Sequence, residues 1–336
     1  MKSKVWILKK RPQGEIVDGD LVLEDRDLPA LEAGQVRVQT VYLSLDPANR
    51  TWMNKGGSYR SAIELDGPME GAALGVVAES QAESMPAGTL VTGLLDWAEF
   101  STKPAKALTA LPTIPGVPMP AFLGPLGITG LTAYFGLLDI GKPKAGETVV
   151  VSAAAGAVGS IVGQIAKIHG CRAVGIAGTD EKCKWLLDVA GFDAAINYKT
   201  EDVGSKLDEH CPDGIDINFE NVGGPIMNQV MARLNNHARM PLCGLISGYN
   251  ETKPQPGPVY FPMLLVRRVS LQGFIVTDYG KRFPEGVQAL AGWLGQGKLK
   301  FETDIVDGLE NSVSALSKLF SGQNFGKLMV RVSPEP

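Results

Sequence analysis

The sequence predicts an α/β protein: a doubly wound parallel sheet joined to a smaller β-rich domain. Three observations carry that prediction. Residues 147–169, ETVVVSAAAGAVGSIVGQIAKIH, run from an apolar, β-branched strand through a turn of small residues into a helix. From there to about residue 276, strand-like and helix-like patterns alternate. The first stretch, to about residue 115, reads instead as short strands cut by glycine and proline, and the chain closes on a strand with no helix after it. Alternating strands and helices build a parallel sheet with right-handed crossovers, and ligands then sit outside the carboxyl ends of its strands.

In the first domain, Val36, Val38 and residues 40–45 form a strand, as do 75–79 and 89–95. Gly34, Asp46 with Pro47, Gly56 with Gly57, and Pro86 to Gly88 punctuate them. Pro104, Pro112, Pro115, Pro118 and Pro120 stiffen a connector, which leads into a helix over about 121–138. The strand at 148–151 is apolar throughout, as a strand buried on both faces should be. Ile161, Val162, Ile165, Ala166 and Ile168 then recur at helical spacing, with Gly170 at the C-cap. In the turn, Gly156 would let a backbone approach a pyrophosphate, and Gly159 would let helix and strand pack closely. The helix start supplies unpaired N–H groups and a positive dipole end.

Further along, 171–177 is the second strand, and Thr179 can N-cap the helix 180–190 that Gly191 closes. A short strand at 194–198, a surface helix at 201–210 and a strand at 216–220 follow. Pro225 suits the first turn of a helix running to Asn236. Residues 240–246 and 271–276 are the fifth and sixth strands. Helices at 284–295 and 309–320 precede the last strand, 327–332. The domains are then 1–125 joined by 300–336, and 126–299. Residues 154–159, Thr179, Tyr198, Asn221 and Ser247 all fall at the ligand-binding end of the sheet.

With 336 residues, two domains are the default. A hydrophobic fraction of 44% and a charged fraction of 20% suit a globular enzyme, and a net charge of -4 gives no footprint for nucleic acid or an anionic membrane. No apolar run could span a membrane or serve as a signal sequence, so a cytoplasmic location is expected. Cys171, Cys183, Cys211 and Cys243 show no Cys-x-x-Cys spacing, and His169, His210 and His237 lack ligand spacing. Neither disulfides nor a zinc site are expected. The second strand ends without the acid that would accept hydrogen bonds from an NAD ribose; Lys182 lies one helical turn beyond Thr179 instead. An ammonium and a hydroxyl there favour a 2′-phosphate, hence NADPH over NADH.

Several strings carry a family resemblance: YLSLDP at 42–47, GLTAYFGL at 130–137, AAAGAVGS at 153–160 and AGTDEK ending at Lys182. NYK at 197–199, NVGG at 221–224, the CG-I-S-YN pattern over 243–250 and NFGK at 324–327 complete them. Together they make the chain resemble the medium-chain dehydrogenase/reductase superfamily. Within it, the chain is most similar to the zinc-free prostaglandin reductase, leukotriene hydroxydehydrogenase, alkenal and curcumin reductase group, over about residues 5–333. The resemblance implies a GroES-like N-terminal domain, a Rossmann domain holding NADPH, and a homodimer, which an apolar edge strand at 271–276 would also favour. It assigns Lys182 and Tyr198 to the 2′-phosphate, and Gly156, Ala157 and Val158 to the pyrophosphate turn. Asn221 and Asn324 go to the ribose or nicotinamide side, Thr129 and Gly130 against the cofactor, and Cys243 with Ser247 lie within the matched loop.

The reaction implied is reduction of the carbon–carbon double bond of an enone or enal. Hydrogen-bond donors would polarise the carbonyl oxygen, and the α-carbon would then be protonated. Tyr59 and Tyr249 are the candidate catalytic donors. Tyr59 is preferred, because its glycine-flanked loop belongs to the domain expected to close over the nicotinamide. The chain departs from the family at Ala48 and Asn49, at Met69-Glu70-Gly71 where Met-Arg-Gly is common, and at Val266, where many members have a tyrosine proposed to relay the proton. Two alternatives stand beside the enone reading: a quinone reductase on the same fold, and a catalytically idle NADPH-binding protein.

Overall fold

The computed structural model describes residues 1–336 apart from Gly57, Thr113, Pro115 and Pro254. The expected turn at Gly57 and the connector's Pro115 therefore lie outside the described residues. Two compact units are present: Met1–Leu123 with Thr303–Pro336, and Gly124–Glu302.

The first unit opens with β1 (Lys2–Leu8) and β2 (Leu21–Asp27), an antiparallel pair the sequence patterns had not indicated. Next come β3 (Gln35–Ser44), the short helix α1 (Pro47–Trp52), β4 (Glu70–Ser80), β5 (Leu90–Asp96), β6 (Phe100–Pro104) and β7 (Thr109–Ala110). Asp46 and Pro47, expected as a break, instead open α1, with proline in its first turn. The strands β3, β4 and β5 pair antiparallel; Leu43, Leu74 and Leu95 on them, and Trp97 just after β5, are fully buried.

In the second unit, the expected helix over 121–138 is broken. A 3-10 turn, Met119–Phe122, ends the first unit's leading segment. Then α2 covers Ile128–Phe135 and a π-helical turn covers Gly136–Gly141. Gly124, Pro125 and Gly127 account for the interruption, since proline lacks the N–H a continuous helix needs.

The central motif follows as β8 (Thr148–Val151) and α3 (Gly159–Ile168), with Gly170 in the left-handed conformation just beyond. After it come β9 (Arg172–Ala177), α4 (Asp180–Asp188), β10 (Ala194–Asn197), α5 (Val203–His210), β11 (Ile215–Phe219) and α6 (Gly224–Met231). The unit ends with β12 (Leu234–Leu242), α7 (Pro262–Val266), β13 (Ser270–Gly273) and α8 (Phe283–Gly295). The sheet runs β10-β9-β8-β11-β12-β13, parallel throughout, so its order reverses between β8 and β11. That order is the doubly wound one whose switch point binds dinucleotides.

Around this sheet, the largest differences from the sequence expectation are at α6, β12 and β13. Helix α6 stops at Met231 rather than Asn236, because β12 already begins at Leu234. His237 adopts φ 64° there, and the β11–β12 register shifts. Buried Leu234 and Ala238, four residues apart, fit one face of a helix as well as one face of a strand. Strand β12 ends at Leu242 because the N–H groups of Cys243 and Gly244 turn onto the Glu220 carbonyl. Strand β13 is only four residues long, all exposed. Phe274, expected at an open edge, instead turns inward against Phe219 (ring centroids 6.3 Å apart).

The chain returns to the first unit with β14 (Thr303–Asp307), α9 (Ser312–Ser321) and β15 (Lys327–Arg331). Strand β15 pairs with β3, and Lys327, almost wholly buried, meets Asp46 at 2.6 Å. No helix among the described residues is long and apolar enough to cross a membrane.

Candidate functional site

The site builds on the carboxyl ends of β8 to β12. The turn after β8 is set by Ala153, whose φ of 48° reverses the chain. Its carbonyl accepts from the Gly156 N–H, and the carbonyls of Gly156 and Val158 accept from Ser160, Ile161 and Val162. Ala157 and Val158 donate to no acceptor among the described residues. Their half-buried N–H groups, at the start of α3, are the polar atoms a phosphate would take. The two glycines differ in what the fold asks of them. A Cβ at Gly159 would fall on the Ala153 carbonyl oxygen and within 2.9 Å of Ala154 Cα, so packing requires glycine. A Cβ at Gly156 would meet only the Ala153 oxygen, at 3.2 Å, so the protein leaves space there.

At the end of β9, the Thr179 hydroxyl oxygen accepts from the Lys182 N–H at 3.2 Å and caps α4, as the sequence indicates. Gly178 lets the Tyr198 ring lie against the strand end: a Cβ on Gly178 would sit 3.2 Å from the Tyr198 hydroxyl. Tyr198 is in turn held by its N–H on the Ala177 carbonyl, and the Lys199 ammonium lies 6.0 Å from its ring centre. Thr179, Lys182 and Tyr198 thus come from neighbouring strand ends. Asp180, the nearest acid, is engaged by the Asn197 amide at 2.6 Å.

A buried carboxylate organises the other half. Glu220, immediately after β11, is fully buried. Its Oε1 accepts from Ser152 Oγ (2.7 Å), Val222 N (2.8 Å) and Gly223 N (2.9 Å), and its Oε2 from Asn218 Nδ2 (2.9 Å). Ser152 Oγ accepts from Asn221 N, while the Asn221 side chain donates to the Ser152 carbonyl at 2.7 Å. The Ser247 hydroxyl donates to the Val222 carbonyl at 2.6 Å. Asn221 and Ser247 therefore clamp this turn with part of their hydrogen-bonding capacity. Burial and the Glu220 charge push the Cys243 thiol up to about 12, so it carries its proton at neutral pH.

The Tyr249 phenol oxygen accepts from the Leu245 N–H at 3.2 Å and donates to no acceptor among the described residues. Burial raises its pKa above the ordinary phenol value of 10.0. Thr129 and Gly130 are buried. The Thr129 hydroxyl donates to the Gly124 carbonyl, and a Cβ on Gly130 would collide with the Pro125 carbonyl, so local packing already accounts for both residue types. Tyr59 and Asn324 belong to the other unit. Tyr59 is 51% exposed, edge-on to Trp52, and the Asn324 amide donates to the Gly326 carbonyl. Glu220 and Ser152 were not singled out from sequence; the available signal was an acid ending an apolar strand just before N-V-G-G.

Two family models match the chain. One, described as the N-terminal domain of oxidoreductase, covers residues 4–111, and one described as zinc-binding dehydrogenase covers 157–292. No group of three or more His, Cys, Asp or Glu side chains among the described residues could hold a metal ion, so the residues present do not fit the zinc of that description. The Bacillus subtilis (strain 168) protein YfmJ is 49% identical over 97% of this chain and 96% of its own length. The NADPH-dependent curcumin reductase of Escherichia coli (strain K12) is 42% identical over 99% of this chain and 97% of that protein. Among solved structures, CurA from Vibrio vulnificus in complex with NADPH superposes with a TM-score of 0.93 at 40% identity, over 99% of this chain and all of that one.

Proposed function

The chain belongs to the medium-chain dehydrogenase/reductase family, in its zinc-independent branch, and we propose that it uses NADPH to reduce the carbon–carbon double bond of α,β-unsaturated ketones or aldehydes. It is an NADPH-dependent oxidoreductase of the curcumin and prostaglandin reductase type. Bound NADPH supplies a hydride. The turn at Gly156, Ala157, Val158 and Gly159 would hold the pyrophosphate, and Thr179, Lys182 and Tyr198 the 2′-phosphate. Asn221, Cys243 and Ser247 would flank the nicotinamide half, with Thr129 and Gly130 completing the contacts from the same unit.

The protein's own chemical task is to stabilise the negative charge that develops on the substrate's carbonyl oxygen. The observation that carries this reading is the Tyr249 hydroxyl: half-buried, holding its proton, accepting one backbone N–H and spending its own O–H on no described residue. A phenol so placed can donate to an enolate oxygen, as an oxyanion-hole donor does. This supports Tyr249 for the role, beside the Tyr59 that sequence favours. Val266 is exposed and cannot carry a proton.

Tyr249→Phe and Tyr59→Phe separate the candidates. Loss of the donor should cost about 2.7–4 kcal/mol of transition-state stabilisation, roughly a hundred-fold or more in kcat, with NADPH affinity kept. Near-full turnover in both single variants and the double variant would remove tyrosine from the mechanism. With Tyr249 as donor, kcat should also hold beyond the pH at which an ordinary phenol ionises, because burial raises the Tyr249 pKa.

A further inference from the structure

We propose that Glu220 is a positioning residue for the nicotinamide half of the cofactor. It acts through the two turns it joins and touches neither cofactor nor substrate. The inference rests on the NADPH reading above.

Its placement carries the argument. Glu220 follows β11 directly, on one side of the point where strand order reverses, and Ser152 follows β8 on the other. One carboxylate oxygen gathers Ser152, Val222 and Gly223; the second takes Asn218. The Glu220 backbone carbonyl fixes a third turn by accepting from Cys243 and Gly244. Thus the ends of β8, β11 and β12 share a single fully buried residue.

No cation pairs with that carboxylate among the described residues. A buried charge is costly unless it is fully hydrogen-bonded, and here four donors perform that service. Gly223, at φ 79°, gives the loop the conformation that brings two successive N–H groups onto Oε1. Lys182, Thr179 and Tyr198 occupy the β9–β10 side, where the adenosine half binds. The nicotinamide half therefore falls on the β11–β12 side, which Glu220 organises.

The test compares two probes on the same proteins. NADPH spans both halves, whereas adenosine 2′,5′-bisphosphate reaches only the adenosine half. In Glu220→Ala, the four donors on its carboxylate lose their acceptor. NADPH binding, read by the cofactor's own fluorescence or by calorimetry, should weaken at least about tenfold, while adenosine 2′,5′-bisphosphate binding stays at the wild-type level. Glu220→Gln should restore most of the affinity. Its amide oxygen can serve the three donors at Oε1, and its NH2 can face Asn218, whose buried Oδ1 now has no partner. If Glu220→Ala does not fold, Ser152→Ala removes one donor and should give a smaller shift in the same direction. Equal loss of both probes, undiminished NADPH affinity in Glu220→Ala, or a Glu220→Gln variant as impaired as the alanine would each overturn the proposal. Failure of the wild-type protein to bind NADPH would instead overturn the reading on which it rests.

Discussion

Replacing Gly156 by alanine should leave the fold intact and remove most of the affinity for NADPH. The new Cβ would meet a single heavy atom, the Ala153 carbonyl oxygen at 3.2 Å, and Gly156 does not occupy the left-handed region. A contact that tight requires the turn to give by a few tenths of an ångström. Against that cost, alanine restricts the unfolded chain and returns about 0.4–1 kcal/mol. Net stability should therefore change by less than about 1 kcal/mol, roughly 2–4 °C in the unfolding midpoint for a domain of this size.

A bound pyrophosphate would have no such tolerance, because the backbone of this turn must approach it closely. Hydrogen bonds to a charged group are worth about 1.5–3 kcal/mol, so NADPH should bind about ten- to a hundred-fold more weakly. Gly159→Ala is the control. Its Cβ falls on backbone atoms that cannot yield, and overpacking of this kind costs about 1–3 kcal/mol. Thermal unfolding and NADPH fluorescence titration on both variants separate the effects. A Gly156→Ala protein that binds NADPH normally would refute the pyrophosphate assignment, and one destabilised as much as Gly159→Ala would show that the glycine serves packing alone.

Two further outcomes follow from the same geometry. Lys182→Ala should raise the KM for NADPH roughly ten- to a hundred-fold and leave that for NADH little changed; equal effects on both cofactors would remove Lys182 from the 2′-phosphate site. We also propose that the protein is a homodimer pairing through the exposed edge strand β13, which exposes Leu271 and follows the exposed Phe261 and Leu265 in sequence. Light scattering at micromolar concentration should give the mass of two chains, and a monomeric mass would reject this.

How much of the molecule could be read in advance depended on how local the signal was. The strand at Thr148–Val151, the capping Thr179 and the alternation from β9 to β11 were legible because each rests on neighbours in sequence. Strands β1 and β2 were missed because a single antiparallel pair across a loop of irregular residues leaves only a weak alternation. The end of α6 is not legible in sequence because polar Asn235, Asn236 and His237 stand inside a strand whose backbone turns left-handed at His237. The same holds for the site. Gly156, Gly159 and Lys182 announce themselves by spacing, whereas the importance of Glu220 arises only when β8, β11 and β12 are laid side by side. Asn221 falls just after β11 as its spacing indicates, whereas Ser247 lies in a 3-10 turn, Ile246–Gly248, beyond the end of β12; their bonds to Ser152 and Val222 depend on pairing that no local pattern encodes.

The most direct test of double-bond reduction is the position of the transferred hydrogen. The protein is incubated with NADPH deuterated at the transferable position and an α,β-unsaturated ketone, and the product is analysed by mass spectrometry and NMR. Hydride transfer to the double bond gives the saturated ketone with deuterium on the β-carbon and a solvent proton on the α-carbon. An allylic alcohol labelled at the former carbonyl carbon, or turnover confined to quinones with enones left untouched, would contradict it.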